Sequence, residues 1–296
     1  MMFYSVYPQQ YSGDTNNTSF SASLVQPNSL VFFVIGDWGR KGKYFQKDVA
    51  AAMNHCASIV KPAFIVSTGD NFYTFGVRGV NDKHWKKSFE NVYNGKYISD
   101  VPWYVCLGNH DYYGKEASQI EYSKINKRWI LPDYFFAVKN YTPDSAAVAM
   151  LFLNTQIMLK DFSSSQRQLT WADSILKNDY ARWKLVFGHH PVYSSNPMHG
   201  DNHVLIEKLK PVLESNFVHA YFSGHDHDLQ HQKPEGSITE YFISGAGSKI
   251  RPSYINENTK FAISKAGFAI VAVNKNTLQL WFVDKDAKIL YSFSIK

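Results

Sequence analysis

The sequence predicts an α/β protein with a central sheet that is buried on both faces. Continuous apolar runs such as residues 30–35 are typical of strands covered on both sides. Segments of helical composition, such as residues 45–60, separate the early runs. Two alternating strand patterns, at residues 268–273 and 278–283, close the chain. Alternation of strands and helices followed by a β-rich end predicts one compact α/β domain.

The order of the elements follows from apolar runs and from helix start and stop signals. The segment 112–146 has few signals and is expected to be loop with short elements, while Ser163 or Ser164 is a candidate cap for the third helix. Strands are predicted at 30–35, 63–67, 103–107, 148–153, 183–187, 218–222, 241–243, 268–273 and 278–283, and helices at 45–60, 83–93, 165–177 and 202–214.

Residues 1–29 are polar and lack periodicity, which predicts an N-terminal tail or arm outside the core of a single domain at 30–296. The first residues lack the charged and apolar regions of a signal peptide, so the protein is either intracellular or without its leader in this sequence. Asn16, Asn17 and Asn140 head Asn-x-Ser/Thr triplets, which are weak candidates for glycosylation.

Composition limits the classes of function. The chain has 296 residues, of which 45% are hydrophobic, and carries a formal net charge of +6. No apolar run approaches the length that a membrane-spanning helix needs. The positive charge favours anionic substrates, but the lysines are scattered and do not predict a specific nucleic-acid face. Cys56 and Cys106 fall in apolar segments and are expected to be inert core thiols.

Five predicted strands end in a glycine that is followed directly by a possible metal ligand. A glycine at this place lets the backbone turn sharply and approach a ligand closely. In the last of these turns, His225 and His227 would point to opposite sides of an extended backbone, which suggests two neighbouring metals. The five turns are Gly36-Asp37, Gly69-Asp70, Gly108-Asn109, Gly188-His189 and Gly224-His225.

The turns supply two carboxylates, one carboxamide and three imidazoles, and Tyr73 adds a phenol nearby. Hard oxygen and borderline nitrogen ligands together suit a pair of transition metals. The motifs GDWG, GDNFY, GNHD, GHHP and GHDHD, in this order, resemble those of the metallophosphoesterases, and specifically the small purple acid phosphatases of animals and plants. The resemblance covers about residues 30–290 and implies a sandwich of two mixed β-sheets flanked by helices.

The resemblance also implies the ligand set. Gly39 stands where most metallophosphoesterases have a histidine, and in the purple acid phosphatases the tyrosine of GDNFY, here Tyr73, takes its place. A phenolate favours trivalent iron, so the expected cofactors are Fe(III) and a second, divalent metal (Fe, Zn or Mn). The implied ferric site is Asp37, Tyr73, His227 and the bridging Asp70, and the implied divalent site is Asp70, Asn109, His189 and His225.

His110 and His199 resemble the outer histidines of this family, which bind substrate and protonate the leaving group. Asp111 is expected to orient His110 or its loop, and Asp226 is expected to be structural. No role is assigned to three other histidines, which are His190, His203 and His231.

The function implied by the resemblance is hydrolysis of phosphate monoesters at acid pH, with a metal-bound hydroxide as the nucleophile. The expected substrates are small phosphate monoesters or phosphoproteins, and the expected state is a monomer. The family favours a secreted, periplasmic or lysosomal location. Two alternatives stay open: a phosphodiesterase or nuclease, against which Gly39 and Tyr73 argue, and a catalytically inactive scaffold or binding protein on the same fold.

Overall fold

The structure is a computed structural model, and it describes residues 18–296. The strands are β1 (Leu30–Ile35), β2 (Phe64–Ser67), β3 (Trp103–Val105), β4 (Trp129–Ile130), β5 (Phe136–Tyr141), β6 (Ala147–Phe152), β7 (Trp183–Phe187), β8 (Ala220–Ser223), β9 (Leu229–Gln232), β10 (Glu240–Ser244), β11 (Thr259–Ile263), β12 (Gly267–Val273), β13 (Leu278–Asp284) and β14 (Ile289–Ile295). The α-helices are α1 (Gln46–Val60), α2 (Ala117–Tyr122), α3 (Thr155–Lys160), α4 (Phe162–Asn178) and α5 (His203–Ser215), and a π-helical turn spans Trp85–Glu90.

The strands form two seven-stranded sheets, and both sheets are mixed. The first has the order β14-β13-β12-β1-β2-β3-β4, and the second has the order β11-β9-β10-β8-β7-β6-β5. In the first sheet β1 to β4 are parallel, and in the second β6, β7, β8 and β10 are parallel. The predicted sandwich of two mixed sheets is therefore confirmed.

Aromatic side chains fill the space between the sheets. Neighbouring strands β5, β6, β7, β8 and β10 each contribute one phenylalanine to a continuous stack, with successive ring centroids 4.5 to 5.4 Å apart. Phe32 on β1 packs edge-on against Phe187 of this stack, at 6.3 Å. Side chains alternate across a strand, so the neighbours Val186 and Tyr221 face outward and pack in a second cluster with α4 and α5. Helices thus cover the outer face of the second sheet.

Several short elements carry no clear signal in the sequence. The segment 112–146 contains α2, β4 and β5, and the strands β9, β11 and β14 were not predicted. The strand β9 reads Leu-Gln-His-Gln, yet all four residues are buried, since Ser195 covers Gln230 and the rings of Phe293 and Tyr291 cover His231. Helix α4 begins earlier than predicted, and its cap is Asp161, whose carboxylate accepts from the backbone N–H groups of Ser163 and Ser164.

The expectation that residues 1–29 lie outside the core is wrong for their described part. Phe20 is buried and packs edge-on against Trp281 of β13, with ring centroids 5.5 Å apart. Ser19 forms a β-bridge with Lys288. Residues 18–29 are therefore an arm fixed to the first sheet, while residues 1–17, including Asn16 and Asn17, lie outside the described residues.

Other expectations concern single residues. Asn140 lies on β5 and is partly buried, with its side-chain nitrogen 3.3 Å from the sulfur of Met150. Cys56 and Cys106 are free and buried, as predicted. Burial raises the pKa of the Cys56 thiol to about 12, so this thiol is unreactive at neutral pH. Within residues 18–296, none of the helices has both the length and the apolar character needed to cross a membrane.

Candidate metal centre

The predicted ligands come together where five parallel strands end. Asp37, Asp70 and Asn109 follow β1, β2 and β3 of the first sheet, whereas His189 follows β7 and His225 follows β8 of the second. The carboxyl ends of parallel strands share one edge of a sheet. The two sheets pack with these edges side by side, so residues up to 190 positions apart in the sequence become neighbours. One example is the backbone N–H of His225, which lies 2.8 Å from Oδ2 of Asp37.

One group of ligand atoms comes from both sheets. Nε2 of His189 lies 3.0 Å from Oδ1 of Asn109, 3.2 Å from Nδ1 of His225 and 3.4 Å from Oδ1 of Asp70. Nδ1 of His225 is also 3.1 Å from Oδ1 of Asn109. Atoms bound to one metal at about 2.1 Å are separated by about 3.0 to 3.4 Å in octahedral or tetrahedral geometry. The observed spacings have this size.

The tautomer of His189 supports a cation at this position. Its Nδ1 lies 3.0 Å from the carbonyl oxygen of Thr68, so it carries the proton and donates it to that carbonyl. Nε2 then faces Oδ1 of Asn109 and the carboxylate of Asp70, and although burial lowers the pKa of His189, the carboxylates of Asp70 and Asp37 raise it overall. Lone pairs that face each other repel unless a cation lies between them. A ligating histidine held by a backbone carbonyl through its other nitrogen is typical of metal sites.

A second group lies beside the first. The hydroxyl of Tyr73 is 2.6 Å from Oδ1 of Asp37 and 3.0 Å from Nε2 of His227, and this Nε2 is 3.5 Å from Oδ1 of Asp37. Asp37, Asp70 and His189 also offer ligand atoms that lie within 4.8 Å of one another, which connects the two groups. The donors fit two adjacent metal ions, with a hard, oxygen-rich set around Tyr73 and a nitrogen-rich set around His189.

The electrostatics of the site are compatible with the binding of a cation. Burial, together with the charges of Asp37 and Asp70, raises the pKa of Tyr73 well above its usual value. Burial alone would raise the pKa of Asp37, but the adjacent His227, together with His189 and Tyr73, outweighs it and the net pKa is lowered. Burial and the neighbouring imidazoles of His190 and His189 lower the pKa of His225 well below its usual value. His225 is thus a neutral imidazole, which is the form that binds a metal.

The backbone is strained at three of these ligands. Asp37, Asp70 and His225 have φ angles of 60°, 52° and 69°, a region that residues other than glycine rarely adopt. Such strain persists only where surrounding contacts hold it, and it concentrates at functional sites. Here the ligand loops hold one another, since the carboxylate of Asp37 accepts from the N–H of His225 and Oδ1 of Asp70 accepts from the N–H of His110, at 2.8 Å each.

Gly39 has no space for a side chain. A Cβ at this position would lie 1.6 Å from the carbonyl oxygen of Asn71, and the carbonyl of Gly39 accepts from the N–H of Tyr73 at 2.8 Å. The turn that carries Tyr73 thus occupies the volume of a side chain at position 39. This lack of space at position 39 agrees with the sequence-based interpretation that Tyr73 takes the place of a histidine there.

The two outer histidines border the ligand groups and are partly exposed. Nδ1 of His110 lies 2.7 Å from the carbonyl oxygen of Thr74, while its Nε2 is 3.9 Å from Oδ2 of Asp70. Nδ1 of His199 lies 2.6 Å from Oδ1 of Asp226, and its ring packs on that of His225 with centroids 4.3 Å apart. In each ring Nδ1 is held and Nε2 is left to meet a ligand. Sequence reasoning assigned Asp226 only a structural role and missed its contact with His199.

Other polar residues shape the loops around the ligands. Oδ2 of the buried Asp111 accepts from the N–H groups of Asn71 and Gly108 at 3.1 and 2.9 Å, which agrees with its predicted orienting role. His190 is buried with its Nδ1 2.9 Å from the hydroxyl of Thr155, and its ligand atom also lies near those of His189 and His225. His231 lies on β9 between Glu240 and Tyr291, and His203 begins α5 away from the ligands.

Comparisons with known proteins agree with this geometry. The sequence model of the calcineurin-like phosphoesterases matches residues 30–229. Purple acid phosphatase 4 of Arabidopsis thaliana is 34% identical over 283 residues, which are 90% of this chain and 83% of that protein. Human tartrate-resistant acid phosphatase type 5 is 33% identical over 293 residues, covering 89% of this chain and 90% of that protein.

Solved structures share the fold. GAP50, described as the anchor in the inner membrane complex of Plasmodium, superposes with a TM-score of 0.83 and 26% identity, covering 90% of this chain and 89% of that one. The purple acid phosphatase PPD1 of yellow lupin gives a TM-score of 0.73 at 14% identity over 94% of this chain and 55% of that one, which supports the fold alone. Confirming the resemblance seen in its motifs, the chain belongs to the calcineurin-like phosphoesterases and, among them, to the purple acid phosphatases.

Proposed function

We propose that this protein is an acid phosphatase that hydrolyses phosphate monoesters with a dinuclear metal centre. The observation that carries the proposal is the convergence of two ligand groups, one around Tyr73 and one around His189, on adjacent positions. Its relatives of about one-third identity are acid phosphatases. The seven proposed ligands are Asp37, Asp70, Tyr73, Asn109, His189, His225 and His227.

We propose Fe(III) for the position beside Tyr73 and a divalent Fe, Zn or Mn ion for the position beside His189. The phenol of Tyr73 and the carboxylate of Asp37 form a hard, anionic pair, which favours a trivalent ion. The imidazoles of His189 and His225 with the carboxamide of Asn109 form a softer, neutral set that suits a divalent transition metal. The carboxylate of Asp70 lies between the two groups and would contact both ions.

When bound, the two ions neutralise the charge of the phosphoryl group and activate the attacking water. The side chains of this protein supply the proton transfer and the orientation. Nδ1 of His110 and Nδ1 of His199 lie at hydrogen-bond distance from Thr74 and Asp226, respectively, which leaves Nε2 of each ring free for the role that we propose. Both imidazoles bind the anionic phosphoryl group and give a proton to the leaving oxygen. We propose small phosphate monoesters or phosphoproteins as substrates and a monomer as the active state.

The colour of the protein tests the metal assignment. A phenolate bound to Fe(III) absorbs in the visible range, so the iron-loaded protein should be purple or pink. Tyr73→Phe keeps the ring and its packing but removes the oxygen, so the band should vanish. Metal content, measured on the same samples, shows whether the ions are retained. A colourless iron-loaded wild type, or a purple Tyr73→Phe protein, would contradict the assignment of Tyr73 to iron.

A scaffold without enzymatic activity is the alternative from another class of function. The structural relative GAP50, which is described as an anchor, is an example of such a role. Loss of metal ligands would favour it, but all seven positions hold side chains that can bind metal. Purified protein that contains two metals per chain and hydrolyses a monoester faster than the matching diester would support the phosphatase. Metal-free protein without either activity would support the scaffold.

A further inference from the structure

The loop between β1 and α1 carries a cation that none of the described residues neutralises. The guanidinium carbon of Arg40 lies 3.4 Å from the centre of the Tyr73 ring, so it stacks on the proposed iron ligand. Within residues 18–296 Arg40 makes no ion pair, and its buried Nε has no hydrogen-bond partner. A guanidinium is always charged and presents a rigid fork of donors that matches phosphate or carboxylate. Arg40 therefore places unused donors beside the metal centre.

A second free cation lies nearby. Nζ of Lys249 and the guanidinium carbon of Arg40 are each 5.7 Å from the ring centre of Tyr44, which is 58% exposed. Lys249 is exposed and makes no ion pair with any of the residues that the structure describes. Two like charges that share one aromatic ring repel each other, and a bound anion would relieve the repulsion.

The loop is held in a fixed shape. Lys41, Gly42 and Tyr44 have φ angles of 57°, 73° and 55°. The buried Gln46 holds this conformation, since its Oε1 accepts from the N–H groups of Arg40 and Gly42 at 3.1 and 2.7 Å. Its Nε2 donates to the carbonyl of Ser88 at 2.7 Å. Strained backbone that is held by buried partners is typical of binding sites.

The segment before Lys249 is joined to the same loop and to the metal centre. The hydroxyl of Ser248 donates to the carbonyl of Asp37 at 2.5 Å, and the carbonyl of Ser248 accepts from the N–H of Phe45 at 3.4 Å. The N–H of Gly247 donates to the carbonyl of Gly36 at 3.1 Å. Both cations are thus presented by backbone that is tied to a proposed metal ligand, so their position relative to the centre is fixed.

We infer that Arg40 and Lys249 form an anion subsite that selects phosphate monoesters whose leaving group carries a second negative group, a carboxylate or a further phosphate. The inference rests on the proposed phosphatase activity, because it assumes that the first phosphoryl group binds at the metals. A second anionic group a few ångströms away then meets the donors of Arg40. Arg40 acts here as a specificity residue, with Lys249 supporting it across Tyr44.

A matched pair of substrates tests the subsite. 4-Carboxyphenyl phosphate and 4-carbamoylphenyl phosphate have nearly the same shape, but only the first has a second negatively charged group. The wild type should have the higher kcat/KM for the carboxylate. Arg40→Gln should lower the ratio of the two kcat/KM values about three- to tenfold, as expected for a charge-assisted contact that is partly exposed. Arg40→Lys should keep part of the preference, and Lys249→Gln should lower it by a smaller factor.

Lys96→Gln is the control. Nζ of Lys96 also lies over an exposed tyrosine, 5.4 Å from the ring centre of Tyr97. Its segment, however, precedes β3 and leads to the amino end of that strand, whereas the metal ligands follow the carboxyl ends. This variant removes the same charge and should leave the ratio unchanged. Metal content of each variant should equal that of the wild type.

The outcomes separate the two proposals. If the metal-loaded wild type hydrolyses neither ester, the proposed phosphatase function fails. If it hydrolyses both with equal kcat/KM, or if Arg40→Gln and Lys249→Gln change both esters by the same factor, the anion subsite fails. Loss of metal from Arg40→Gln without a change in the ratio would mean that Arg40 only supports Tyr73, which also overturns the subsite. Lys249→Gln decides the matter if Arg40→Gln does not fold.

Discussion

At the scale of single residues, we interpret the hydrogen bond between His199 and Asp226 as functional rather than only structural. The carboxylate of Asp226 is buried, and it accepts from Nδ1 of His199 and from the hydroxyl of Ser194. A buried carboxylate fixes both the tautomer and the orientation of the imidazole that it accepts from. It thereby leaves Nε2 of His199 free for the proton transfer that we propose.

This arrangement predicts a coupled pair. His199→Ala should lower kcat by about 10²- to 10⁴-fold, the usual effect of losing a positioned acid or base. Asp226→Asn, which keeps the shape but not the charge, should lower kcat about tenfold to hundredfold, as outer-shell partners do. The double variant should be no slower than His199→Ala, because Asp226 acts through His199. Kinetics of the three variants at equal metal content would measure this, and multiplicative losses would contradict the coupling.

At the scale of elements, the loop that carries His199 is fixed at both ends. The N–H of Ser194 donates to the carboxylate of Asp201 at 2.9 Å, and the N–H of Asn202 donates to the carbonyl of Val192 at 3.0 Å. Asn202 is also the cap of α5, since its side-chain oxygen accepts from the N–H of Leu205 at 3.1 Å. The start of α5 therefore holds the end of a functional loop.

We expect Asn202→Ala to cost about 1 kcal/mol of unfolding free energy, the usual cost of losing a helix cap. The reason is that the N–H of Leu205 loses its acceptor. Urea unfolding would measure the change. Asn202→Asp is the matched control, because its carboxylate can still accept from Leu205, and it should stay close to the wild type. Equal destabilisation by both variants would show that the side chain acts through something other than the cap.

At the scale of the whole molecule, the metal centre lies on the seam between the two sheets. Asp37, Asp70 and Asn109 belong to loops of the first sheet, and His189 and His225 belong to loops of the second. Metals bound by the proposed ligands would join both sheets and would screen the repulsion between the carboxylates of Asp37 and Asp70. Metal binding to the native state alone adds to its stability by mass action.

Removal of the metals by a chelator should lower the unfolding temperature, because an ion present at about 1,000 times its dissociation constant stabilises the fold by about 4 kcal/mol. Thermal unfolding with and without metal would measure the shift. In Asp70→Ala, which lacks the proposed bridge, both metals should be lost and the chelator should have little further effect. Two metals per chain in that variant would contradict the bridging role of Asp70.

The sequence by itself determined the fold class, the family and the candidate ligands. Five of the seven proposed ligands stand next to a glycine at the end of an apolar run, and Tyr73 and His227 follow within three residues of such a ligand, so their types and their places near strand ends are encoded within a few residues. The principal strands are equally local, because a continuous apolar run such as Leu30–Ile35 is buried wherever it pairs.

Only the tertiary structure decided features that depend on distant partners. Strand β9 is mostly polar and is buried only because distant residues such as Ser195 and Phe293 cover its side chains. In the sequence Phe20 belongs to a polar segment, and only its packing against Trp281 in the folded structure shows that it is buried. The contacts of Asp226 with His199 and of Arg40 with Tyr73 join residues 27 or more positions apart. Local sequence patterns do not predict such pairs, because each contact forms and contributes free energy only after folding has brought the loops together.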